Sequence, residues 1–385
     1  MNKVIVFGVN IQNTLGLIRS IGEKGIPVIL LLEPCMKGTC YVKYSKYLKK
    51  IHYLNSTEEG LEVLKREYWD EPEKPILLFG GDPPVCLLDK YYDELKDHFS
   101  LFNAGKSGRI SFFMDKINTF PVAEESGITT IKTWYVTDIH NLPDDITFPC
   151  LTKGNNSTGS TKHDMYVCQN REELVSCLRE GVEYLIQEYI VKEYEVNAVG
   201  LSYNHGKNIF LPAVVRKIRD EIHRQSVYIR LDDVKDYPTL KLTAIQKFVE
   251  TIGYEGIFSV EFIYSRGKYY FLEINMRNDG CGYLYTAAGI NYPYLWVLYN
   301  QGKLTSEILN SIKFKKPYYL MHEDDMYNMF EGIVPVGQWV KECVKADAHF
   351  IMNWRDPMPF IVSTWIHVRQ ACKMVLRKVF KINIR

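Results

Sequence analysis

The 385-residue chain lacks several features that would assign it to a class at once. Its nine cysteines are odd in number, and no two of them form a Cys-x-x-Cys pair. This usage argues against a disulfide scaffold and a cysteine-based zinc site, and it predicts reduced thiols in a cytoplasmic protein. The formal net charge is only +1, so no field of one sign indicates nucleic acid as a partner.

Membrane and nucleotide fingerprints are also missing. No run of 18 uncharged apolar residues occurs, so we expect no membrane span. The N-terminal apolar run is short and no small-residue cleavage site follows it, which predicts a strand and no signal peptide. Residues 8–16 lack the G-x-G-x-x-G pattern of a dinucleotide site. Residues 100–107 and 154–161 approach a Walker A loop, but the first lacks the leading glycine and the second lacks the lysine.

The features that are present predict more than one domain. The chain is too long for one compact core, and its 46% apolar and 24% charged residues are typical of globular proteins. In the first hundred residues apolar strands alternate with amphipathic helices, which indicates a Rossmann-like α/β domain with a parallel sheet. The expected strands are 4–8, 27–32 and 75–80, and the expected helices are 14–24, 57–68 and 85–99.

From about residue 110 the pattern changes to strands that follow one another directly, which is typical of an α+β region. The expected strands are 132–136, 148–153, 165–168, 184–189, 195–201 and 207–216, followed by a hairpin at 258–277. The expected helices are 171–180, 240–252, 293–300 and 365–380.

The hairpin carries side chains suited to phosphate chemistry. Residues 271–277 place Glu273, Asn275 and Arg277 on one face, because side chains alternate along a strand. The strand before it holds Glu261, and two facing carboxylates repel unless a cation lies between them. Carboxylate and amide oxygens suit Mg²⁺, and an arginine suits a phosphoryl or carboxylate group. The alternative is an ordinary solvated face of an antiparallel sheet.

Basic residues elsewhere leave more than one interpretation open. Lys153 ends an apolar strand and leads into a polar loop at 154–162, which is suited to cradling phosphates and closing as a lid. A lone lysine is more often a solvated amine, but the buried strand favours a phosphate contact. For Arg216 and Lys217, binding of a phosphate or carboxylate and a solvated basic run are both open.

Taken in order, these motifs resemble the ATP-grasp superfamily over roughly residues 1 to 300. The resemblance rests on Lys116, Lys153, Gln187-Glu188-Tyr189-Ile190, Glu195, Glu261 and Glu273-Ile-Asn275-Met-Arg277. The ending is most similar to carbamoyl phosphate synthetase, biotin carboxylase and the D-aspartate ligase type. The resemblance implies a Rossmann-like pre-ATP-grasp domain at 1–108, a two-lobed ATP-grasp domain at 109–300 with its hinge near 187–190, and a mixed C-terminal region at 301–385.

The resemblance also implies a role for each matched residue. The residues expected to bind ATP are Lys116, Lys153, Ser160, Gln187, Glu188, Tyr189, Ile190 and Glu195. The residues expected to hold two Mg²⁺ or Mn²⁺ ions are Glu261, Glu273 and Asn275. The residues expected to serve catalysis are Arg277, Arg216 and Lys217. From the residues alone, Glu193 is as good a candidate as Glu195 for the ribose. Ligases of the D-alanine type carry an arginine where this chain has Ser259, which leaves Arg277 as the main cation at the reacting carboxylate.

Members of this family join a carboxylate to an amine through an acyl phosphate, with release of ADP and phosphate. The resemblance therefore implies a carboxylate–amine ligase that acts on an amino acid or a cell-envelope precursor. The implied partners are small-molecule carboxylate and amine substrates, and a homodimer is compatible with the resemblance. Two alternatives stay open: carboxyphosphate chemistry on bicarbonate, as in carbamoyl phosphate formation, and a non-catalytic ATP-binding regulatory protein.

The C-terminal segment is a separate feature. Residues 365–385 contain six Lys or Arg residues and no acid, and their apolar residues fall at helical spacing. A basic amphipathic helix can lie on an anionic membrane surface, which predicts peripheral membrane contact. The alternative is a helix that packs on its own domain with its basic residues outward.

Overall fold

The computed structural model describes residues 2–35, 39–154, 165–220 and 226–380, with side chains described as far as residue 369. Strands within these ranges form three sheets, each with its own connectivity. No helix in the described ranges is both long enough and apolar enough to cross a membrane.

The N-terminal sheet is parallel, and helices cover it. Its strands are β1 (Val4–Gly8), β2 (Val28–Leu32), β3 (Leu48–Tyr53) and β4 (Ile76–Phe79), in the order β3-β2-β1-β4. The helices are α1 (Gln12–Gly22), α2 (Thr57–Glu67), α3 (Asp82–Lys90) and α4 (Tyr92–Leu95). Every residue of β1, β2 and β4 is buried, as expected for a parallel sheet covered on both faces. Helix α2 is capped by Ser56, whose Oγ accepts from the Glu59 N–H at 3.3 Å.

A small antiparallel sheet follows. Its strands are β5 (Thr133–Val136), β6 (Cys150–Gly154), β7 (Tyr166–Cys168) and β8 (Tyr184–Glu188), in the order β5-β8-β6-β7. The helices α5 (Arg109–Met114) and α6 (Lys116–Glu125) precede it, and α7 (Arg171–Cys177) packs beside it. The apolar residues of this unit form a cluster of their own, separate from the main core.

The largest sheet carries the predicted hairpin. Its strands are β9 (Tyr194–Tyr203), β10 (Asn208–Phe210), β11 (Ala213–Asp220), β12 (Ser226–Asp233), β13 (Gly256–Ser265), β14 (Lys268–Asn275), β15 (Tyr318–Met321) and β16 (Ala348–His349). Its order is β14-β13-β9-β11-β12-β15-β16, with β10 paired to β9. The helices are α8 (Leu242–Ile252), α9 (Gly282–Ala288), α10 (Tyr292–Asn300), α11 (Ser306–Ser311), α12 (Asp325–Phe330), α13 (Val336–Lys345) and α14 (Met358–Phe380).

One apolar core joins the N-terminal and largest sheets. The Phe102 ring lies edge-to-face against Phe79 of β4, with ring centroids 5.3 Å apart, and against Trp296 of α10, with centroids 5.1 Å apart. All three side chains are almost fully buried. Aromatic contacts of this kind add to the free energy gained by burial. The N-terminal and largest sheets are therefore packed against each other through a shared core.

The structure corrects several expected elements. The strand expected at 207–216 is two strands, β10 and β11, separated at Pro212, which has no N–H to donate to a ladder. The helix expected at 85–99 begins earlier and divides into α3 and α4. The elements that were not expected are strands β3, β12, β15 and β16 and helices α5, α6, α9, α11, α12 and α13. The domain boundaries at residues 108 and 300 stay predictions.

A buried ion pair fastens the C-terminal segment to helix α1. Arg19 is 0% exposed and Asp356 is 1% exposed, and Arg19 Nε donates to Asp356 Oδ2 at 3.1 Å. The same guanidinium donates to the Phe350, Ile351 and Asp356 carbonyls. Asp356 also accepts from Ser45 Oγ at 2.8 Å. Because the charge and the donors of Arg19 are met by these partners, the desolvation of the pair is compensated.

Candidate active site

Two acids face each other across the predicted hairpin. Glu261 of β13 lies directly opposite Glu273 of β14. The turn between the strands places Arg266 at φ 49° and Gly267 at φ 79°, as a two-residue hairpin turn requires. We call Glu261 and Glu273 the acid pair. The sequence predicted the hairpin and its two facing acids, but not the β-bulge after Glu261 that shifts its partner from Leu272 to Glu273.

In this structure two lysines neutralise the acid pair. Lys217 Nζ donates to Glu261 Oε2 at 3.0 Å, and Lys116 Nζ lies 2.9 Å from Glu273 Oε2. Burial raises the pKa of Glu261 to about 7, against the lowering effect of Lys217. Burial also raises the pKa of Glu273, but Lys116 and then Lys153 outweigh it, so the net shift is downward. Glu273 is therefore the firmly ionised member of the acid pair at neutral pH.

The second predicted phosphate lysine lies in the same cluster. Lys153 belongs to β6 of the small sheet, whereas Lys116 is the first residue of α6. Burial, followed by the positive charge of Lys116, lowers the pKa of Lys153 to about 8, and Glu273 and Glu195 oppose this shift. Two ammonium groups from different elements thus point towards one set of carboxylates, an arrangement suited to an anionic ligand such as a polyphosphate.

The lowered pKa predicts how nucleotide affinity depends on pH. Only the ammonium form of Lys153 attracts phosphate, and it loses its proton as pH rises through about 8. The affinity for ATP should therefore be full below pH 8 and fall above it, by up to about tenfold per pH unit. Calorimetry in buffers of different ionisation enthalpy should show proton uptake on binding near pH 8. Lys153→Arg, which stays charged, should flatten the profile; an unchanged slope in this variant would contradict the assignment.

Beyond the acid pair, Asn275 and Arg277 continue the site. Asn275 Nδ2 donates to Glu261 Oε1 at 3.2 Å, and Arg277 Nη2 donates to Asn275 Oδ1 at 3.4 Å. Arg277 also makes a bidentate ion pair with Asp82 at the start of α3. Burial lowers the pKa of Arg277, but its bonds to Asp82 outweigh this effect, so the net shift is upward. Sequence reasoning missed Asp82, although a polar residue just after a parallel strand is a known signal of a ligand crevice.

The structure separates the two candidates in the basic run of β11. Lys217 Nζ contacts both Glu195, at 2.9 Å from Oε2, and Glu261. Arg216 is instead stacked on the ring of Tyr194, with its guanidinium carbon 4.1 Å from the centroid. Because neighbouring residues on a strand face opposite sides, Arg216 is not brought to the acid pair. The structure therefore places Lys217, and not Arg216, beside the acid pair, and the catalytic roles expected of both residues stay predictions.

Glu195 joins this cluster, and Glu193 does not. Glu195 Oε1 accepts from Lys192 at 2.7 Å, and the positive charges of Lys217 and Lys192 outweigh burial and lower its pKa. Glu193 accepts from the Arg266 N–H at the hairpin turn, away from the acid pair. Of the two candidates for a ribose contact, only Glu195 lies at the site.

Several polar groups of the expected hinge at residues 187–190 make hydrogen bonds within the protein. The Gln187 side chain is buried and donates to Thr133 Oγ1 at 2.9 Å. The Glu188 N–H donates to the Lys132 carbonyl and the Tyr189 N–H to the Pro149 carbonyl, both at 3.0 Å. These two donors are therefore not directed at a ligand. Ile190 follows them at the end of the strand and is half-buried.

The expected phosphate loop cannot be placed. Its residues 155–162, which include Ser160, lie outside the described residues. Gly154, the last residue of β6, is described and leads towards that loop from Lys153.

The donor set fits a magnesium ion that is bound together with a phosphate ligand. The acid pair and Asn275 supply hard oxygen donors, which Mg²⁺ prefers. Within the described ranges no cluster of three or more His, Cys, Asp or Glu side chains could enclose a metal ion by itself. Mg²⁺ sites of one or two carboxylates are normally completed by substrate phosphates and water, so these residues fit a metal–nucleotide complex.

Comparison with known proteins supports this interpretation. Residues 121–292 match the family model of the ATP-grasp domain. The carbamoyl phosphate synthase large chain of Clostridium beijerinckii is 24% identical over 248 residues, which cover 59% of this chain and 22% of that protein. An L-amino acid ligase from Bacillus licheniformis superposes with a TM-score of 0.62 at 14% identity, over 81% of this chain and 78% of that chain.

A second similar structure was solved with nucleotide. The biotin carboxylase domain of a 2-oxoglutarate carboxylase from Hydrogenobacter thermophilus, in complex with MgADP, ADP and bicarbonate, superposes with a TM-score of 0.62. Its identity is 17%, over 83% of this chain and 73% of that chain. At such identities the similarity shows the fold.

The match at residues 121–292 and the superposed structures confirm the predicted ATP-grasp fold. The chain spans about a fifth of the carbamoyl phosphate synthase protein that it matches. The expected parallel N-terminal sheet is present, and its assignment as a Rossmann-like pre-ATP-grasp domain stays a prediction.

Proposed function

We propose that the protein is an ATP-dependent ligase that joins a carboxylate to an amine. The observation that carries the proposal is the convergence of Lys116, Lys153 and Lys217 on the acid pair from three different elements. Such a cluster provides cations for a triphosphate and carboxylates for its metal. The similarity to an L-amino acid ligase supports a reaction that forms a carbon–nitrogen bond.

In the proposed reaction a substrate carboxylate oxygen attacks the γ-phosphorus of ATP. The bond to the β-phosphate oxygen breaks, and an acyl phosphate and ADP result. An amine then attacks the acyl carbon, loses a proton and expels phosphate. Lys116 and Lys153 hold the phosphate oxygens, and Arg277 holds the oxygens of the reacting carboxylate. Catalysis by such a site consists mainly of positioning and charge stabilisation.

The proposed metal ligands are Glu261, Glu273 and Asn275. When bound, Mg²⁺ would neutralise the charge that the phosphates carry. The acid pair is already neutralised by Lys116 and Lys217, so these ammonium groups are expected to shift towards the phosphates when the metal binds. We propose two ions, since two carboxylates and a triphosphate carry enough negative charge for both.

The test is Mg²⁺-dependent ADP release across pools of L- and D-amino acids, dicarboxylates and bicarbonate. Stimulation by a carboxylate pool together with an amine would support the ligase. Stimulation by bicarbonate alone would favour carboxyphosphate chemistry, the second candidate, which the match to carbamoyl phosphate synthase supports. Mg-ATP binding without ADP release in any pool would contradict both and indicate a regulatory ATP-binding protein.

Peripheral membrane contact through α14 is a further proposal, which the comparisons do not support. What favours it is an exposed apolar stripe of Ile361, Trp365 and Val368, 54%, 67% and 49% exposed, on a helix whose continuation is basic. The variant Ile361→Ser/Trp365→Ser should lose flotation with phosphatidylglycerol vesicles, whereas Trp354→Ser, which alters an exposed residue before the helix, should not. Equal flotation of all three proteins would remove the helix from consideration.

The expected homodimer also stays a prediction, and light scattering would test it.

A further inference from the structure

The crevice between the N-terminal sheet and the end of β14 contains a charge pair that the proposed reaction does not explain. In the order β3-β2-β1-β4, strand β1 has β2 as its neighbour on one side and β4 on the other. The order of the strands therefore reverses at β1. Ligands of open α/β sheets bind outside the carboxyl ends of the strands at such a switch point. Asp82, three residues after β4, lies at this position.

Buried amides hold the segment after β14 against this crevice. Asn13 Nδ2 donates to the Gly80 carbonyl at 3.2 Å and to the Asn278 carbonyl at 2.8 Å. Asn278 Nδ2 donates in return to Asn13 Oδ1. Asn13 and Asn278 are 5% and 2% exposed. The position of Arg277 relative to Asp82 is therefore fixed by the backbone on both sides.

Asp82 accepts hydrogen bonds from the same N–H groups of Arg277 that a substrate carboxylate would need. Arg277 Nε donates to Asp82 Oδ1, and Nη2 donates to Oδ2 at 3.1 Å. The side chain of Asp82 is 45% exposed, whereas that of Arg277 is 17% exposed. The carboxylate therefore lies on the solvent side of the pair, where an entering substrate meets it first.

A simple carboxylic acid is poorly matched to this pair. If its carboxylate replaced Asp82 on Arg277, two anions would lie side by side and share one cation. An α-amino acid brings an ammonium group next to its carboxylate, so both charges of the protein pair find a partner. Charge-assisted hydrogen bonds to both groups would then replace the internal bonds between Asp82 and Arg277.

We propose that Asp82 determines substrate specificity by binding the ammonium group of an α-amino acid whose carboxylate is activated at Arg277. The proposal rests on the ligase function proposed above and names its carboxylate substrate class. In the absence of that substrate, Asp82 occupies Arg277 and keeps the guanidinium in its binding orientation.

The test compares amino acids with matched acids that lack the amino group, such as alanine with propionate and aspartate with succinate. Hydroxylamine serves as the amine, so that any activated carboxylate is detected as a hydroxamate. The wild-type protein should use an amino acid at least tenfold better than its matched acid. Asp82→Asn should lower kcat/KM for the amino acid about tenfold to a hundredfold, mainly through KM, and leave the matched acid unchanged or improved.

Control measurements separate this role from a structural one. Asp97→Asn, at an exposed aspartate nearby in sequence, should change neither substrate class. Mg-ATP affinity of Asp82→Asn should match that of the wild type, and the variant should stay folded at the assay temperature although its ion pair with Arg277 is lost. An equal loss for amino acids and matched acids, or a raised KM for hydroxylamine alone, would overturn the assignment of Asp82. If no carboxylate of either class yields a hydroxamate, the ligase proposal itself fails and the assignment fails with it.

Discussion

Glu273→Gln is expected to reduce Mg²⁺-dependent ADP release on the order of a thousandfold. Glu273 is the ionised member of the acid pair, because Lys116 and Lys153 outweigh the effect of burial on its pKa. The amide keeps the shape of the side chain but removes the charge that would hold the metal. The same change should weaken Mg²⁺-dependent ATP binding and should have little effect on metal-free nucleotide binding.

The control for this variant is Glu124→Gln. Glu124 lies on α6, the helix that begins with Lys116, and its side chain is exposed. It should retain full activity. Release of ADP by Glu273→Gln at more than a tenth of the wild-type rate would contradict the metal assignment.

The second large effect concerns folding. Asp356→Ala should destabilise the protein on the order of 3–5 kcal/mol, because it leaves the buried charge of Arg19 without its carboxylate. Urea unfolding gives the free energy. Residues 350–369 should also become sensitive to protease, since Asp356 ties them to helix α1 and to Ser45.

Two variants test the mechanism of this loss. Glu94→Gln breaks an ion pair with Lys65 whose side chains are 47% and 35% exposed, and it should cost less than about 1 kcal/mol. The double variant Arg19→Met/Asp356→Leu should recover much of the stability, because it removes both buried charges. Equal unfolding midpoints for Asp356→Ala and Glu94→Gln would refute the account of the buried pair.

The hairpin could be predicted because its determinants are local. Alternation placed Glu273 and Asn275 on one face, and the turn at residues 265–268 joined the two strands as a hairpin. The apolar run before Lys153 likewise predicted a buried strand that ends at the site. In each case a few neighbouring residues define the geometry through the period of the strand and the chemistry of the turn.

The partners of these residues could not be predicted, since they depend on long-range packing. Asp82 and Arg277 are 195 positions apart, and Arg19 and Asp356 are 337 positions apart. The choice of Lys217 over Arg216 depends on the register of β11, and the expected strand at 207–216 ended before Lys217 and did not separate β10 from β11. No local pattern encodes which distant charge a side chain will meet.

The most direct test of the ligase proposal follows oxygen atoms. The protein is incubated with Mg-ATP, hydroxylamine and an amino acid pool labelled with ¹⁸O in the carboxylates, and the released phosphate is examined by mass spectrometry. Because the proposed acyl phosphate takes a carboxylate oxygen into its bridging position, each phosphate should carry one ¹⁸O and appear together with ADP and a hydroxamate. Unlabelled phosphate, or AMP with pyrophosphate, would contradict the proposal.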